Sequence, residues 1–249
     1  VLAAATGRWG AGSAAPRWDA SLYNVSYRDL TDNNITELLL GASRPGTAAG
    51  WHVEAGGLGQ YVLRDGHRFQ QIASLRLEGT RDMSDDRDVR VGVMISAIDA
   101  LDGNFEFLAG SRRQLEASWG RPLGGGRVRA GVTMERNDRK DLTTATEFFS
   151  YSPTRYALRL AGVWPFGSSW RIEPAVRYYH SRYADPDRRA SGLVATREDE
   201  QVEVSLRAKR RLSLNWQLLG EYTYVHNVSN LAEFSYAQRV MLIGVTRPF

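Results

Sequence analysis

Catalysis on a β-rich chain needs its reacting groups on one face, so the histidines and their neighbours come first. His180 is followed at once by Ser181, and His226 stands three residues before Ser229. Side chains alternate across a strand with a period of two. An adjacent pair and a pair three apart therefore both fall on opposite faces, and neither makes a serine–histidine couple. Asp185, Asp187, Glu198, Asp199 and Glu200 gather near one predicted end of the strands, with His180 below them. A histidine among carboxylates could activate water for proteolysis; acidic loop residues more often stay solvated or hold divalent ions that bridge lipid phosphates. Asp82, Asp85, Asp86 and Asp88 invite a calcium reading. They lack the glycine and closing glutamate of a calcium loop and read as a polar turn. Gly124–Gly126 is followed by no Lys-Ser/Thr pair, so it reads as a turn and not a phosphate loop. These readings predict no metal, no cofactor and no enzymatic activity.

The commonest chemistry is cationic. Of the 32 basic residues only Lys140 and Lys209 are lysine. On the predicted strands one parity carries Arg76, Glu78, Arg90, Arg127, Arg129, Glu135, Arg155, Arg159, Arg171, Glu173, Arg177, Glu203, Arg207, Lys209 and Glu221, with Glu37, Glu54 and Glu116 earlier. A guanidinium stays charged and can bond two acceptors at once. Such a face either selects anions, acidic polysaccharide among them, or pairs with its own glutamates and fills the space it encloses.

The elements that position these groups are long alternating strands. From Trp18 onward, segments of 10–15 residues alternate apolar with polar, separated by Gly/Pro/Asp/Asn clusters. Strands are predicted at 18–28, 35–44, 50–63, 67–80, 87–98, 104–121, 126–138, 154–165, 169–182, 198–210, 213–227 and 235–249. Tyr156, Leu158, Leu160 and Trp164 oppose Arg155, Ala157, Arg159 and Ala161; Val202, Val204 and Leu206 oppose Glu203, Ser205 and Arg207. Short connections, such as 121–126, 165–169 and 210–213, alternate with longer polar ones at 139–153, 183–197 and 228–234. Outer-membrane barrels show the same asymmetry between periplasmic turns and external loops.

The predicted fold is therefore all-β: one closed antiparallel transmembrane β-barrel of about twelve strands, with fourteen as the alternative. In hydrocarbon every backbone N–H and C=O must be paired within the protein, and closure removes the open edge. Trp51, Tyr61, Trp119, Tyr156, Trp164, Trp170, Tyr178, Trp216, Tyr222 and Tyr224 lie on the apolar parity and suit the two membrane interfaces. A soluble sandwich fits less well, because its strands average about 5–6 residues. The chain has no cysteine and a net charge of +4, and nothing in it calls for a nucleic acid. Residues 1–17, rich in Ala and Gly, read as a tail or the end of an upstream domain, with 18–249 as the barrel. The start at Val1 reads as that of a processed chain or fragment.

The last segment, YTYVHNVSNLAEFSYAQRVMLIGVTRPF, resembles the final hairpin of outer-membrane barrels found beside exopolysaccharide export systems, including barrels that follow helical-repeat domains. Met241, Ile243, Val245 and Phe249 share the parity that such barrels present as their insertion signal; Arg247 and Pro248 depart from it. The resemblance implies residence in the bacterial outer membrane. Its partners would be membrane lipid, lipopolysaccharide, the barrel-assembly machinery and, through residues 1–17, periplasmic or envelope-complex subunits. The function expected is a porin-like or export channel, with polysaccharide as a candidate cargo. A structural or anchoring subunit of a larger envelope complex is the alternative, and a lipid hydrolase or protease stands third.

Overall fold

The computed structural model describes residues 2–10, 12, 14–25, 34–212 and 216–246. Thirteen strands form one sheet in chain order, each hydrogen-bonded to the next. They are β1 (Leu2–Arg8), β2 (Arg17–Val25), β3 (Ile35–Ala48), β4 (Trp51–Arg64), β5 (His67–Asp82), β6 (Asp88–Ala100), β7 (Gly110–Leu123), β8 (Gly126–Arg139), β11 (Pro153–Phe166), β12 (Trp170–Tyr183), β15 (Glu198–Arg211), β16 (Gln217–Ser229) and β17 (Tyr236–Thr246). Four two-residue strands, β9 (Leu142–Thr143), β10 (Phe148–Phe149), β13 (Asp187–Arg188) and β14 (Val194–Ala195), make a second small sheet from the two longest connections. No helix of the described residues is long and apolar enough to cross a membrane.

Alternation dictates which face meets lipid. Residues opposite one another in an antiparallel ladder share a face. The register runs Ala117↔Val132↔Leu158↔Tyr178↔Val202 on one side of the sheet and Arg159↔Arg177↔Glu203 on the other. The apolar side chains are the ones left open: Leu75 is 72% exposed, Leu160 58% and Ile243 76%. Buried hydrophobic residues are few, namely Ala15, Val62, Ile98, Ala109 and Leu231, while serines, asparagines and aspartates make up most of the buried set. A water-soluble fold buries its leucines. Here the arrangement is inverted, as a protein solvated by hydrocarbon requires.

Four expectations change. Leu2–Arg8 is not a tail: it pairs along its whole length with β2, from Leu2↔Tyr23 to Arg8↔Arg17. A ladder is held by backbone groups, so a strand of small residues can join a sheet without the alternation that would reveal it. Second, 104–121 is not one strand. Asp102 accepts a hydrogen bond from the Asn104 backbone N–H (3.0 Å) and starts a 3-10 turn over Gly103–Leu108, after which Gly110, at φ +152°, opens β7. Phe105 packs edge-on against Phe69 with ring centroids 4.9 Å apart, so its parity reflects packing on β5 and not a continuing strand. Third, 139–153 and 183–197, expected as open loops, meet through Phe148↔Arg188 in the small sheet. Fourth, the sheet has thirteen strands where about twelve were expected, and no pairing joins β1 to β17 among the described residues. Closure is therefore absent from the described sheet. Phe249, the last residue of the predicted insertion signal, lies outside the described residues.

Turn chemistry agrees with the register. Asp65 (φ +49°) and Gly66 (φ +77°) form the two-residue link between β4 and β5, the left-handed pair that matches strand twist. A charge on the open apolar face should be costly. Leu160→Arg is expected to lower stability in lipid bilayers by about 2–4 kcal/mol, the penalty of a cation at mid-membrane depth. Ala161→Arg, one residue along on the charged face, should cost far less. Urea unfolding of the two variants in vesicles measures the difference.

Candidate functional site

The residues predicted to line a lumen share one face of the main sheet, and many are joined there in cross-strand ion pairs. Arg177 bonds Glu203 (3.0 Å) between β12 and β15, and Arg207 bonds Glu221 (2.8 Å) between β15 and β16. Glu173 on β12 collects three cations: Arg171 at 2.7 Å, Lys209 at 3.1 Å and Arg207 at 3.7 Å. Arg155 stands 3.9 Å from Glu135, and Arg76 pairs with Glu78. Long side chains reach these positions because the strands put them one register step apart, and half-burial strengthens each pair over its value in water. Arg159 differs. It faces Arg177 directly across the ladder, is exposed, and makes no ion pair or hydrogen bond among the described residues.

A second centre was missed from sequence. Asp88, read as part of a polar turn, is only 5% exposed and turns onto the charged face at the start of β6. Arg127 and Arg129 of β8 both bond its carboxylate, and Arg90 lies 3.8 Å away. Those two arginines reach over the intervening strand β7, and Gly120 is what lets them pass. A side chain there would set its Cβ 2.9 Å from the Arg129 guanidinium and 3.2 Å from the Asp88 carboxylate. Asp85 and Asp86 instead form the turn, both at positive φ. The parity shared by Asp88 and Arg90 was the available signal.

At the opposite end the longest connections lock together. Arg197 bonds Asp199 through two hydrogen bonds (3.0 and 2.6 Å), and its guanidinium lies 3.5 Å from the Phe234 ring and 4.4 Å from that of Tyr183. Arg189 lies 4.2 Å over Phe149 and contacts Glu233 at 2.6 Å without hydrogen-bond alignment. Asp187, buried, accepts from the Ser150 backbone N–H (2.7 Å). Phe107 meets Tyr151 at 4.7 Å, and Lys140 binds Glu106 (2.5 Å), which ties in the 3-10 turn. That lysine holds the Glu106 carboxyl below its usual range. Burial pushes the Tyr151 phenol up. Sequence placed Asp187 and Asp199 near this end but gave no signal for their arginine and aromatic partners, because the members come from four connections that meet only in space.

The histidine–serine neighbours that the sequence reading sets aside lie on opposite faces of their strands. His180 pairs in register with Glu200 on the apolar face, whereas Ser181 lies on the charged face and accepts from Arg155 Nε (3.1 Å). His226 stacks near Tyr224, ring centroids 6.4 Å apart, on the apolar face. The acidic group divides: Asp187 and Asp199 are buried among arginines, while Glu198 and Glu200 are exposed. Among the described residues no three His, Cys, Asp or Glu side chains cluster in a way that could hold a metal.

The interfacial aromatics are sorted by type. All seven tryptophans, Trp9, Trp18, Trp51, Trp119, Trp164, Trp170 and Trp216, lie at the end carrying the short turns. Tyr61, Tyr156 and Tyr178 sit toward the other end, and Tyr222 and Tyr224 lie mid-strand. Trp164 donates its indole N–H to the Leu123 carbonyl (3.1 Å), and Arg210 lies 5.3 Å from the Trp170 ring.

Comparisons with known proteins agree with this geometry. Neither a family profile nor a curated protein sequence matches the chain. Among solved structures it is similar to a loop L8 deletion mutant of OmpT, an outer membrane protein of Vibrio cholerae, with a TM-score of 0.57 and 10% identity, over 99% of this chain and 89% of that one. In-vitro folded OmpT gives a TM-score of 0.56 at 11% identity, over 99% and 88%. The β-domain of the Bordetella autotransporter BrkA is a looser likeness, with a TM-score of 0.39 at 14% identity over 100% and 96%. The fold is that of the bacterial outer-membrane β-barrels, and the chain belongs in the outer membrane. None of the three is described as part of exopolysaccharide export. The likeness to OmpT corrects one expectation. The chain was read as having no enzymatic activity; sharing the OmpT fold gives no ground for that exclusion, and it is withdrawn.

Removing the Asp88 charge should expose how much the second centre holds. Asp88→Asn leaves Arg127 and Arg129 without their carboxylate and is expected to cost about 1.5–3 kcal/mol, the range for hydrogen bonds to charged groups. Urea titration of the folded protein in lipid, beside Asp85→Asn as a turn control with little effect, measures it.

Proposed function

We propose that the chain is a passive outer-membrane conduit whose charged face lines a water-filled lumen and favours anionic solutes, acidic polysaccharide among them. One observation carries the reading: the ion-paired face has more cations than carboxylates, and Arg159 makes no ion pair there. The residues predicted for that face, Glu37, Glu54 and Glu116 included, together with Asp88 comprise ten cations and nine carboxylates. Arg159 lies near the middle of β11 (Pro153–Phe166), where a guanidinium with no carboxylate in direct contact acts on any ion that passes.

A lumen needs a closed wall. Twelve successive antiparallel pairings leave β1 and β17 running in the same direction. A direct seam between them would be parallel, and an antiparallel seam takes one further strand. Bacterial barrels have even strand numbers, which supports fourteen, the alternative weighed from sequence. The exposed apolar row of Met241, Ile243 and Val245 on β17 fits the insertion signal read by the assembly machinery.

Two measurements test the reading. In planar bilayers the folded protein should conduct steadily with anion preference, and Arg159→Glu should reduce or reverse that preference. A barrel shown to be folded but silent would remove the conduit and favour an anchoring role. In hydrogen exchange, all backbone amides of Tyr236–Thr246 should be protected if the sheet closes. Fast exchange at every second amide of that strand would mean a free edge.

A further inference from the structure

The lipid-facing side carries several arginines; some are partnered, while Arg44, Arg81 and Arg239 make no ion pair or hydrogen bond among the described residues. Arg182 pairs with Glu198 (3.4 Å), and Arg121, at the short-turn end, lies 6.0 Å from the Trp119 ring. Arg113 and Arg136 differ in that each faces another cation. They stand directly opposite one another on β7 and β8, three residues from the ends that carry the longer connections. Both are exposed, and neither makes an ion pair or hydrogen bond among the described residues. Asp138, two residues further along the same face of β8, is exposed and joined to neither.

Like charges directly opposite in a ladder repel, so this pair is unfavourable unless an anion sits between the guanidiniums. The surroundings specify that anion. Immediately toward mid-membrane on the same face lie Leu115 and Met134, paired with each other, then Ile95 and Tyr156 on the flanking strands, between 44% and 54% exposed. Thr154 lies beside Arg136 and presents a hydroxyl on the same face. A ligand meeting both features carries a phosphate at one end and acyl chains at the other. Guanidinium forks suit phosphate because they donate two parallel hydrogen bonds.

We propose that Arg113 and Arg136 form a binding site for the phosphorylated glycolipid of the outer leaflet, the lipid A part of lipopolysaccharide. The long connections mark the external end in this fold, which sets the pair in that leaflet. The inference rests on the outer-membrane location and is independent of transport.

The test uses the full chain, folded in detergent, and counts bound lipid A by native mass spectrometry. Folding is checked by heat-modifiable migration. Arg113→Ala with Arg136→Ala is expected to weaken lipid A binding by at least about tenfold, the factor lost with one charge-assisted hydrogen bond. Dephosphorylated lipid A should bind the unaltered protein about as weakly. If the double variant does not fold, Arg113→Gln and Arg136→Gln are read singly, each with a smaller loss. Undiminished binding in the folded variants, or equal binding of the dephosphorylated form, would overturn the site. Phosphatidylglycerol bound as tightly as lipid A would overturn the assignment to the outer leaflet.

Discussion

The backbone's demand for hydrogen bonds in a solvent that offers none governs this molecule. Each strand of the main sheet pairs with its neighbour over most of its length, so peptide groups are satisfied regardless of what the side chains do. Side chains are then sorted by solvent alone. Leucine, valine and isoleucine remain open on the face given to hydrocarbon, and arginine and glutamate gather on the face that hydrocarbon cannot reach. The small hydrophobic core follows from this division and is no sign of a poorly packed protein.

Charge on the protected face is arranged in two centres near the short-turn end and a third cluster beyond the opposite end. Glu173 and Asp88 each hold three cations, and Gly120 gives two arginines room to cross a whole strand to reach Asp88. Pairs of this kind cost desolvation as well as gaining attraction, so their net contribution is modest while the loss of one partner is severe. Around the third cluster, arginines stack on Phe149, Phe234 and Tyr183 and join connections distant in sequence. The tryptophans define the opposite end. Their indoles need an apolar body and a wet N–H, and collecting all of them at one rim gives the protein a polarity across the membrane that its strand pattern alone does not supply.

Much of this was legible in the sequence, and the exceptions share a cause. Arg155, Arg159, Arg177, Glu203 and Arg207 announce their face because every second residue on their strands is greasy. β1 was invisible because Leu2–Arg8 carries small side chains on both faces, and backbone pairing leaves no trace in residue type. Gly103–Leu108 misled because two phenylalanines two residues apart look like a strand face, although the Asp102 cap turns the chain there. Asp88 hid among aspartates that form a real turn. The arginine–aromatic cluster depends on loops meeting in space, which no local pattern encodes. The described sheet has one strand more than the twelve first read because of that same small-residue strand.

The division of faces between lipid and water can be read one residue at a time. The chain contains no cysteine, so single cysteines carrying a spin label can be placed in turn along Arg155–Val163 on β11. In bilayers, collisions with dissolved oxygen should peak at Tyr156, Leu158 and Leu160. Collisions with a water-soluble nickel complex should peak at Arg155, Ala157, Arg159 and Ala161. Equal access of the nickel complex to both sets, or both maxima on the same residues, would contradict a sheet with one face in lipid and the other in water.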